Sequence, residues 1–255
     1  MIHPSAIIHS KATIGAGCEI GPFCVIGESV TLGDHCKLHS HVVIDGHTQA
    51  GNENEFFPFT SIGLKTQDLK WKGGITRVRI GDKNVFREGV TVHSATNDGD
   101  ATVIGNGNLF LAQVHVAHDC QLGNGIIMSS FAALAGHVVV EDHATFGGYA
   151  AAHQFCRIGT RCMVGGYTRL SQDVAPYIIV EGNPPAARAI NKVGLERAGM
   201  ATETQSALRC AYKIIFREDL PTADALKKVE AELPPFPEVK HLVQFIRASE
   251  RGVCK

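Results

Sequence analysis

The stretch IGAGCEIGPFCVIGESVTLG, residues 14–33, repeats a six-residue unit in which an aliphatic residue is followed by glycine. Ile14, Ile20, Ile26 and Leu32 occupy the same position in successive units. An α-helix has 3.6 residues per turn and a strand alternates every two residues, so neither produces a period of six. A short strand followed by a turn does produce it, and the stretch therefore predicts a stack of short strands joined by turns.

The same period continues along about two thirds of the chain. Steps of six from Ile2 to Leu170 meet 29 positions, of which 26 are apolar, although only 44% of all residues are hydrophobic. Three units make a coil of 18 residues, and such coils stack in register as a parallel β-helix with the aliphatic side chains inside. The glycine is expected to free the backbone for the turn. We therefore predict a mainly β fold, with the parallel β-helix spanning residues 1–190.

Three positions break the period, and they fall in two polar segments. The exceptions are Asp68, Gly74 and Asp98. The segments 64–79 and 94–103 are predicted to be loops that leave the coil and return to it. Loops on a rigid scaffold often carry function. The first loop concentrates Gln67, Asp68, Lys70 and Trp71, which makes it the stronger candidate for lining a site.

The period stops near residue 190, and residues 191–255 are predicted to form a small helical domain. The segment TETQSALRCAYKIIFRE, residues 202–218, begins with Thr202 and Gln205 at the spacing of a capping box. Two further helical segments begin close to prolines, which suit the first turn of a helix. The segment EGNPPAAR, residues 181–188, is the predicted connection.

The eight cysteines could suggest a disulfide or zinc framework by number alone. Six of them, however, lie four residues after a periodic aliphatic residue, in a position otherwise held by small residues. These six are Cys18, Cys24, Cys36, Cys120, Cys156 and Cys162. We predict that they are small thiols facing the core.

Charge and hydropathy exclude several classes of function. The formal net charge is −1 and Lys/Arg runs are absent, which argues against a nucleic-acid partner or a polybasic membrane surface. The N-terminal residues do not resemble a signal peptide. No apolar stretch approaches the roughly 18 residues of a transmembrane helix, so no integral membrane segment is expected. A cytoplasmic location follows as the expectation.

The stretch VHVAHDCQLGNG, residues 114–125, holds His115, His118 and Asp119. Histidines at this spacing could bind zinc, since some hexapeptide β-helix enzymes, the γ-type carbonic anhydrases, do so, but no matching third ligand is evident. A histidine with a neighbouring carboxylate could instead act as a general base. Adjacent residues on a strand point in opposite directions, so His118 and Asp119 can meet only at a corner of the coil, or through backbone and water.

Stacking of coils predicts which residues lie near His118. Residues about 18 apart should lie one above another, so His118, His137 and His153 are expected to cluster along one edge. A backbone N–H beside the histidine could stabilise a thioester oxyanion, and Gly136 is the candidate because glycine allows close approach.

Several short segments together resemble the UDP-N-acetylglucosamine O-acyltransferases, over essentially the whole chain. They are HVAHDC (115–120), LAGHV (134–138), HQFCRIG (153–159), QDLK (67–70), MVGG (163–166) and EGNP (181–184). The resemblance implies a left-handed β-helix, although the usual crossover preference is right-handed. It also implies a homotrimer with sites between subunits, and acyl carrier protein as donor of a (3R)-3-hydroxyacyl group to UDP-N-acetylglucosamine, the first step of lipid A biosynthesis. No metal or other cofactor is implied.

The resemblance also implies roles for particular residues. His118 would be the general base, supported by Asp119, and the Gly136 N–H would bind the oxyanion. Residues implied to bind substrate are Gln67, Asp68, Lys70, His93, His115, His137, His153, Gln154, Asn191 and Arg197. Met163 and Gly166 would limit the length of the acyl chain.

Two departures from the family pattern keep alternatives open. The chain reads SAT after His93, where relatives commonly show a basic residue and glycine before the threonine, and Val193 and Ala198 replace charged residues of some relatives. The sugar could therefore be a 3-amino analogue, which would give an amide product. A zinc-dependent hydrase and a silent β-helix that only binds its ligands are the remaining alternatives. The repeat begins at Ile2, which argues against the N-acyltransferase of the same pathway with its extra N-terminal domain.

Overall fold

The computed structural model describes all 255 residues and consists of three sheets, parallel except for the last strand pair, followed by four helices. The first sheet contains β1 Ile7–Ile8, β4 Val25–Ile26, β7 Val43–Ile44, β10 Ser61–Leu64, β13 Thr91–His93, β16 His115–Val116, β19 Ala133–Leu134, β22 Ala151–Ala152 and β25 Arg169–Leu170. The second contains β2 Thr13–Ile14, β5 Thr31–Leu32, β8 His47–Ala50, β11 Arg77–Ile80, β14 Ala101–Ile104, β17 Gln121–Leu122, β20 Val139–Val140 and β23 Arg157–Ile158. The third contains β3 Glu19–Ile20, β6 Lys37–Leu38, β9 Glu55–Phe56, β12 Val85–Phe86, β15 Leu109–Phe110, β18 Ile127–Met128, β21 Thr145–Phe146, β24 Met163–Val164, β26 Ile178–Glu181 and β27 Ala186–Ile190.

The chain visits the three sheets in turn, so each strand pairs with the strand one coil later. Ile7 pairs with Val25, which is 25 − 7 = 18 residues on, as the period predicts. The buried residue of each unit points into the prism, and Phe56, Phe86 and Phe110 stack there with ring centroids 4.9 and 5.1 Å apart. The predicted parallel β-helix is confirmed.

The two loops lie where the period is broken. The first connects β10 to β11, and the second connects β13 to β14. From Ile62 to Ile80 is 18 residues and from Val92 to Ile104 is 12, compared with six in a regular unit. The insertions therefore add 12 and six residues, and the sequence period returns in phase because both are multiples of six.

The role expected for the repeated glycine is wrong. The left-handed backbone mostly occurs two residues after that glycine, and mostly at other residue types, such as Phe23 with φ 59° and His35 with φ 57°, whereas of the repeated glycines Gly63 alone has a positive φ, 81°. The glycine is required for space instead. A Cβ at Gly15 would lie 2.4 Å from the carbonyl carbon of Gly33 in the next coil, because the coils stack too closely for a side chain there.

The six repeat cysteines are buried as predicted, and none is in a disulfide. Burial raises the pKa of the Cys120 thiol to about 12, so it stays protonated at neutral pH. Outside the repeat, Cys254 is buried and Cys210 is exposed.

The last two strands form an antiparallel hairpin that extends the third sheet, and the helices follow it. The helices are α1 Lys192–Arg197, α2 Thr202–Arg217, α3 Thr222–Glu232 and α4 Pro237–Arg247. The expected capping box is wrong, because α2 begins at Thr202 with Ala201 as N-cap and no side chain caps it. Pro237 does lie in the first turn of α4. None of the helices is long and apolar enough to cross a bilayer.

Candidate active site

His118 and Asp119 lie in the turn that follows β16, at the edge between the first and second sheets, which we call the first corner. Asp119 adopts a left-handed backbone with φ 62°, a conformation that aspartate tolerates better than most residues. This conformation turns its carboxylate back along the chain. Nδ1 of His118 lies 2.8 Å from Oδ2 of Asp119, so the two adjacent side chains form a hydrogen-bonded pair.

Three threonines from the loops and the neighbouring sheet hold this pair. The Thr96 N–H donates to Oδ1 of Asp119 over 3.1 Å, and the Thr96 hydroxyl lies 3.1 Å from Nδ1 of His118. The hydroxyl of Thr66, in the first loop, lies 3.0 Å from that of Thr96. Thr102 accepts a hydrogen bond from the Asp119 N–H over 2.8 Å. Both loops therefore pack onto the first corner and fix the orientation of the imidazole.

The pair is largely shielded from water. The side chains of His118 and Asp119 are only 12% and 7% exposed. Burial raises the pKa of Asp119, but hydrogen bonds from His118 and Thr96 and the nearby His137 outweigh it, so the net pKa lies below the ordinary value. Asp119 is consequently an anion at neutral pH and accepts the Nδ1 proton of His118. The lone pair of His118 is then on Nε2.

Gly136 lies directly against the imidazole of His118, one coil further along. A Cβ at this position would be 2.3 Å from Cε1 and 2.6 Å from Nε2 of His118, so only glycine fits. The Gly136 carbonyl accepts a hydrogen bond from Phe155, whereas its N–H donates to no group of the protein. An unused backbone donor therefore lies within a few ångströms of a basic nitrogen.

His118 and Gly136 line a cavity of about 380 Å³ on the outer face of the first sheet. Ala133 and Ala151 are among the small residues that line it, and Gln67 and Gln154 lie at its sides. Because these alanines present little more than methyl groups, the cavity is a shallow trough suited to an extended apolar chain.

Two further histidines lie beside the trough and are neutral. Burial, with the nearby His93 and His118, lowers the pKa of His115 to about 4. Burial and the neighbouring His118 also lower the pKa of His93. Nδ1 of His115 lies 2.8 Å from the Thr91 hydroxyl, whereas Nδ1 of His93 is buried with no partner in this chain. His93 therefore has one buried ring nitrogen without a hydrogen bond.

The expected histidine cluster is only partly formed. The rings of His118 and His137 are 5.3 Å apart, and Nε2 of His137 lies 3.5 Å from Oδ2 of Asp119. The ring that stacks on His137 at 4.7 Å is Phe155, not His153, because Phe155 is the residue 155 − 137 = 18 positions later. His153 is exposed, and its Nδ1 faces the carbonyl of Gln154.

Asp68 approaches the pair from the first loop. Potential ligand atoms of Asp68, His118 and His137 all lie within 4.8 Å of one another. The zinc site suggested by the sequence involved His115 and His118, but His115 is not among these three residues. The exposed Lys70 shapes the loop through its backbone N–H, which donates to Oδ1 of Asp68 over 2.9 Å.

Four expected site residues lie away from the first corner. Met163 is on β24 of the third sheet and Gly166 in the exposed turn that follows it. Asn191 caps α1 and donates to the carbonyl of Arg161, while Arg197 is exposed at the end of α1. Within a single chain these four residues do not share an edge with His118.

The three threonines that hold the pair could not be recognised as functional candidates from their sequence positions. Thr66, Thr96 and Thr102 are isolated hydroxyl residues without a spacing rule that links them to His118. The one signal was that Thr66 and Thr96 fall in the two segments where the repeat period is broken.

The fold and the corner define the chain as a hexapeptide-repeat enzyme with a histidine–aspartate pair. A family described as bacterial transferase hexapeptide (six repeats) matches residues 11–46, and one described as UDP-N-acetylglucosamine O-acyltransferase, domain 2, matches residues 173–254. The chain belongs to the UDP-N-acetylglucosamine O-acyltransferase family and is an acyltransferase.

Relatives and solved structures support this placement over most of the chain. A protein of Anaeromyxobacter dehalogenans named acyl-[acyl-carrier-protein]–UDP-N-acetylglucosamine O-acyltransferase is 46% identical over 190 residues, 74% of each chain. One of the same name from Thermodesulfovibrio yellowstonii is 48% identical over 213 residues, 83% of each. The crystal structure of a UDP-N-acetylglucosamine acyltransferase from Bacteroides fragilis covers 100% of both chains, at 43% identity and a TM-score of 0.98. Such neighbours are left-handed β-helices, and a superposition this close fixes the same hand here.

Proposed function

We propose that the chain transfers a 3-hydroxyacyl group from acyl carrier protein to the 3-hydroxyl of UDP-N-acetylglucosamine, with His118 as general base, as the first step of lipid A biosynthesis. The observation that carries the residue assignment is the geometry of His118. Its Nδ1 is held by Asp119 at 2.8 Å, and its ring lies against Gly136, where a Cβ would be 2.6 Å from Nε2, so that a side chain does not fit there.

The proposed reaction uses one proton transfer in each direction. Nε2 of His118 removes the proton from the sugar hydroxyl, and the oxygen attacks the thioester carbonyl to form a tetrahedral intermediate. The Gly136 N–H donates to the oxyanion. The intermediate then collapses, the carbon–sulfur bond breaks, and the protonated His118 returns its proton to the leaving thiolate. Asp119 holds the imidazole in the required tautomer and stabilises its charged form.

Each step depends on groups of this chain, and no metal or redox cofactor takes part in the proposed reaction. General base catalysis of this kind supplies roughly 10²–10⁴-fold of the rate. Positioning of the two substrates and stabilisation of the oxyanion supply the remainder.

We further propose that the active unit is a homotrimer with each site between two subunits. The trough on the first sheet is open, so a single chain cannot keep an acyl chain out of water. Leu69, at the tip of the first loop, is 100% exposed, and Tyr167 at the opposite edge of the sheet is 75% exposed. Tyr167 also stacks on Tyr149, and Tyr149 on Phe131, so the exposed apolar surface at that edge is contiguous, as expected where a neighbouring copy makes contact.

A site between two subunits would also explain why Asn191 and Arg197 lie far from His118 within one chain. Asn191 and Arg197 would bind the nucleotide phosphates at the site of a neighbouring subunit, since they lie on another edge of their own prism. Arg197 suits this role because its guanidinium pairs with two phosphate oxygens at once. Gln67, Asp68, Lys70, His93, His115, His137, His153 and Gln154 would line the cleft for sugar and phosphopantetheine. We place the reaction in the cytoplasm, where acyl carrier protein would be the soluble donor.

Met163 and Gly166 would set the length of the acyl chain. A Cβ at Gly166 would meet only the backbone of Gly148, at 3.2 Å, and would otherwise project outward from the edge of the third sheet. Glycine there leaves room for a longer chain. Gly166→Met is expected to shift the preferred donor to a shorter acyl group, which a series of donors of different lengths measures.

The test is release of the carrier-protein thiol from 3-hydroxyacyl–acyl carrier protein, measured with UDP-N-acetylglucosamine and with its 3-amino analogue. His118→Ala contains the same exposed Cys210, so it corrects for reaction of that thiol with the reagent. Release that requires the hydroxy sugar and His118 supports the proposal. Release only with the amino sugar would replace ester by amide formation, and binding without release would leave a catalytically silent protein.

A further inference from the structure

The group formed by Asp68, His118 and His137 contains two imidazoles and a carboxylate whose ligand atoms lie within 4.8 Å of one another. We propose that these residues form an inhibitory site for a divalent transition metal of the zinc type. The ion would coordinate the nitrogen that His118 needs for catalysis.

The surroundings of the two histidines resemble those of a metal site. Histidines that bind metals usually donate their second ring N–H to a carboxylate, which fixes the tautomer and the orientation. Asp119 Oδ2 lies 2.8 Å from Nδ1 of His118 and 3.5 Å from Nε2 of His137. This buried carboxylate therefore orients the ring of His118 through a hydrogen bond and lies close to that of His137, so that Nε2 of His118 and a ring nitrogen of His137 are left for an ion.

Asp68 supplies the third ligand from a constrained loop. Its Oδ1 accepts the N–H of Lys70 over 2.9 Å, and its own N–H donates to the Thr66 hydroxyl over 3.1 Å. Oδ2 is left for coordination. Bonds of about 2.0–2.2 Å in tetrahedral geometry require ligand atoms roughly 3.4 Å apart. One ligand atom of each residue already lies within 4.8 Å of the others, and Asp68 and His137 are partly exposed, so an ion would have to draw these side chains together by only about an ångström.

The ligand set also predicts which ions bind. Two imidazole nitrogens and one carboxylate oxygen suit Zn²⁺, Co²⁺ and the other late transition metals. Mg²⁺ and Ca²⁺ prefer six or more oxygen ligands, which the cluster does not offer. Three protein ligands leave one position of a tetrahedral ion for water.

Occupation of the site would stop acyl transfer. The lone pair on Nε2 of His118 cannot bind an ion and accept the hydroxyl proton at the same time. This inhibitory consequence rests on the proposed function, whereas metal binding itself does not.

The first experiment measures binding without any activity assay. Zn²⁺ is titrated calorimetrically into the full chain, and Co²⁺ binding is followed through the intense visible absorption of a tetrahedral site. Asp68→Asn and His137→Gln are each expected to weaken binding at least 10-fold. His143→Gln is the matched control, because His143 occupies the equivalent left-handed position at another corner of the prism, with φ 60° against 61° for His137. Cys210→Ser controls for the exposed thiol.

Saturation at one ion per chain, weakened by the two site variants and unchanged in the two controls, supports the site. Binding that survives both site variants, or that disappears in Cys210→Ser, overturns it, as does the absence of binding. The second experiment adds Zn²⁺ to the thiol-release assay, with Mg²⁺ as control and chelation to reverse the effect. Active protein that binds no Zn²⁺ refutes the metal site alone. A protein that binds Zn²⁺ at these residues yet never releases thiol refutes the proposed function alone.

Discussion

Nδ1 of His118 lies 2.8 Å from Oδ2 of Asp119, the next residue in the chain. In a regular strand, adjacent side chains point to opposite faces and cannot meet. They meet here because Asp119 turns the corner of the prism with φ 62°. A hydrogen-bonded pair made of neighbours in sequence is thus a consequence of the β-helix corner, and it requires no long-range approach of two distant segments.

Loss of the Asp119 charge should affect the rate more than substrate binding. In Asp119→Asn the amide cannot hold the Nδ1–H tautomer in the same way, and the corresponding change in a serine-protease triad costs about 10⁴-fold in kcat. We expect kcat for thiol release to fall at least about 100-fold with a small change in KM. Unchanged kcat would exclude a supporting role for Asp119.

Asp119 should also make stability depend on pH. Its folded-state pKa is lowered because hydrogen bonds from His118 and Thr96 outweigh the effect of burial. The stabilisation that the ionised Asp119 gives to the folded state is therefore fully present above the unfolded-state pKa of about 3.9. It is lost as the pH falls through the lower pKa of the folded state. The difference in unfolding free energy between the protein and Asp119→Asn should shrink as pH falls below about 4, which denaturant titrations measure. A difference independent of pH would contradict the prediction.

Gly136→Ala should displace the imidazole without unfolding the protein. The added Cβ would lie 2.6 Å from Nε2 of His118, so the ring must move away from the reacting atoms. We expect a loss in kcat of at least about 100-fold, since misplacement by an ångström has that cost. Gly148→Ala is the matched control at the same position of another corner, where the Cβ would meet only the Ser130 carbonyl at 3.4 Å. Equal losses in both variants would mean that the effect is structural.

Thr96 is predicted to position the base. Thr96→Val removes the hydroxyl contacts to His118 and Thr66 but keeps the backbone N–H that donates to Asp119. A hydrogen bond of about 1–1.5 kcal/mol corresponds to roughly a 5- to 13-fold lower kcat. Thr96→Ser retains the hydroxyl, so its kcat should be close to that of the unsubstituted protein. A fall in melting temperature without any change in kcat would indicate a purely structural role.

His115 should weaken the fold in mild acid. Its pKa is lowered to about 4 by burial and by the nearby His93 and His118, whereas an unfolded histidine titrates near 6.5. The unfolded state therefore binds more protons between these values, and stability falls as pH drops from about 6.5 towards 4. In His115→Gln the loss of unfolding free energy between about pH 6.5 and pH 4 should be smaller by on the order of 1–3 kcal/mol. Denaturant unfolding at several pH values measures it. An unchanged slope would contradict the assignment.

The repeated glycines and the left-handed corner residues show how far the sequence period predicts the fold. The six-residue period predicted where the backbone turns, but the left-handed residue is Asp119 or His35, not the repeated glycine. Sequence spacing could not separate these positions, since a glycine needed for conformation and one needed for space look alike. The distance from Gly15 to the backbone of Gly33 distinguishes them.

The sequence by itself determined the prism, the place of the two loops, and His118 with Asp119 and Gly136 as candidates. It could do so because burial repeats with the coil, and residues 18 apart must lie one above another. Only the tertiary structure decided which loop residues contact the first corner. The positions of Thr66, Asp68 and Thr96 follow no sequence period, because they depend on individual hydrogen bonds to groups of other coils. The hand of the helix was decided there too, since a period of six residues is compatible with either hand.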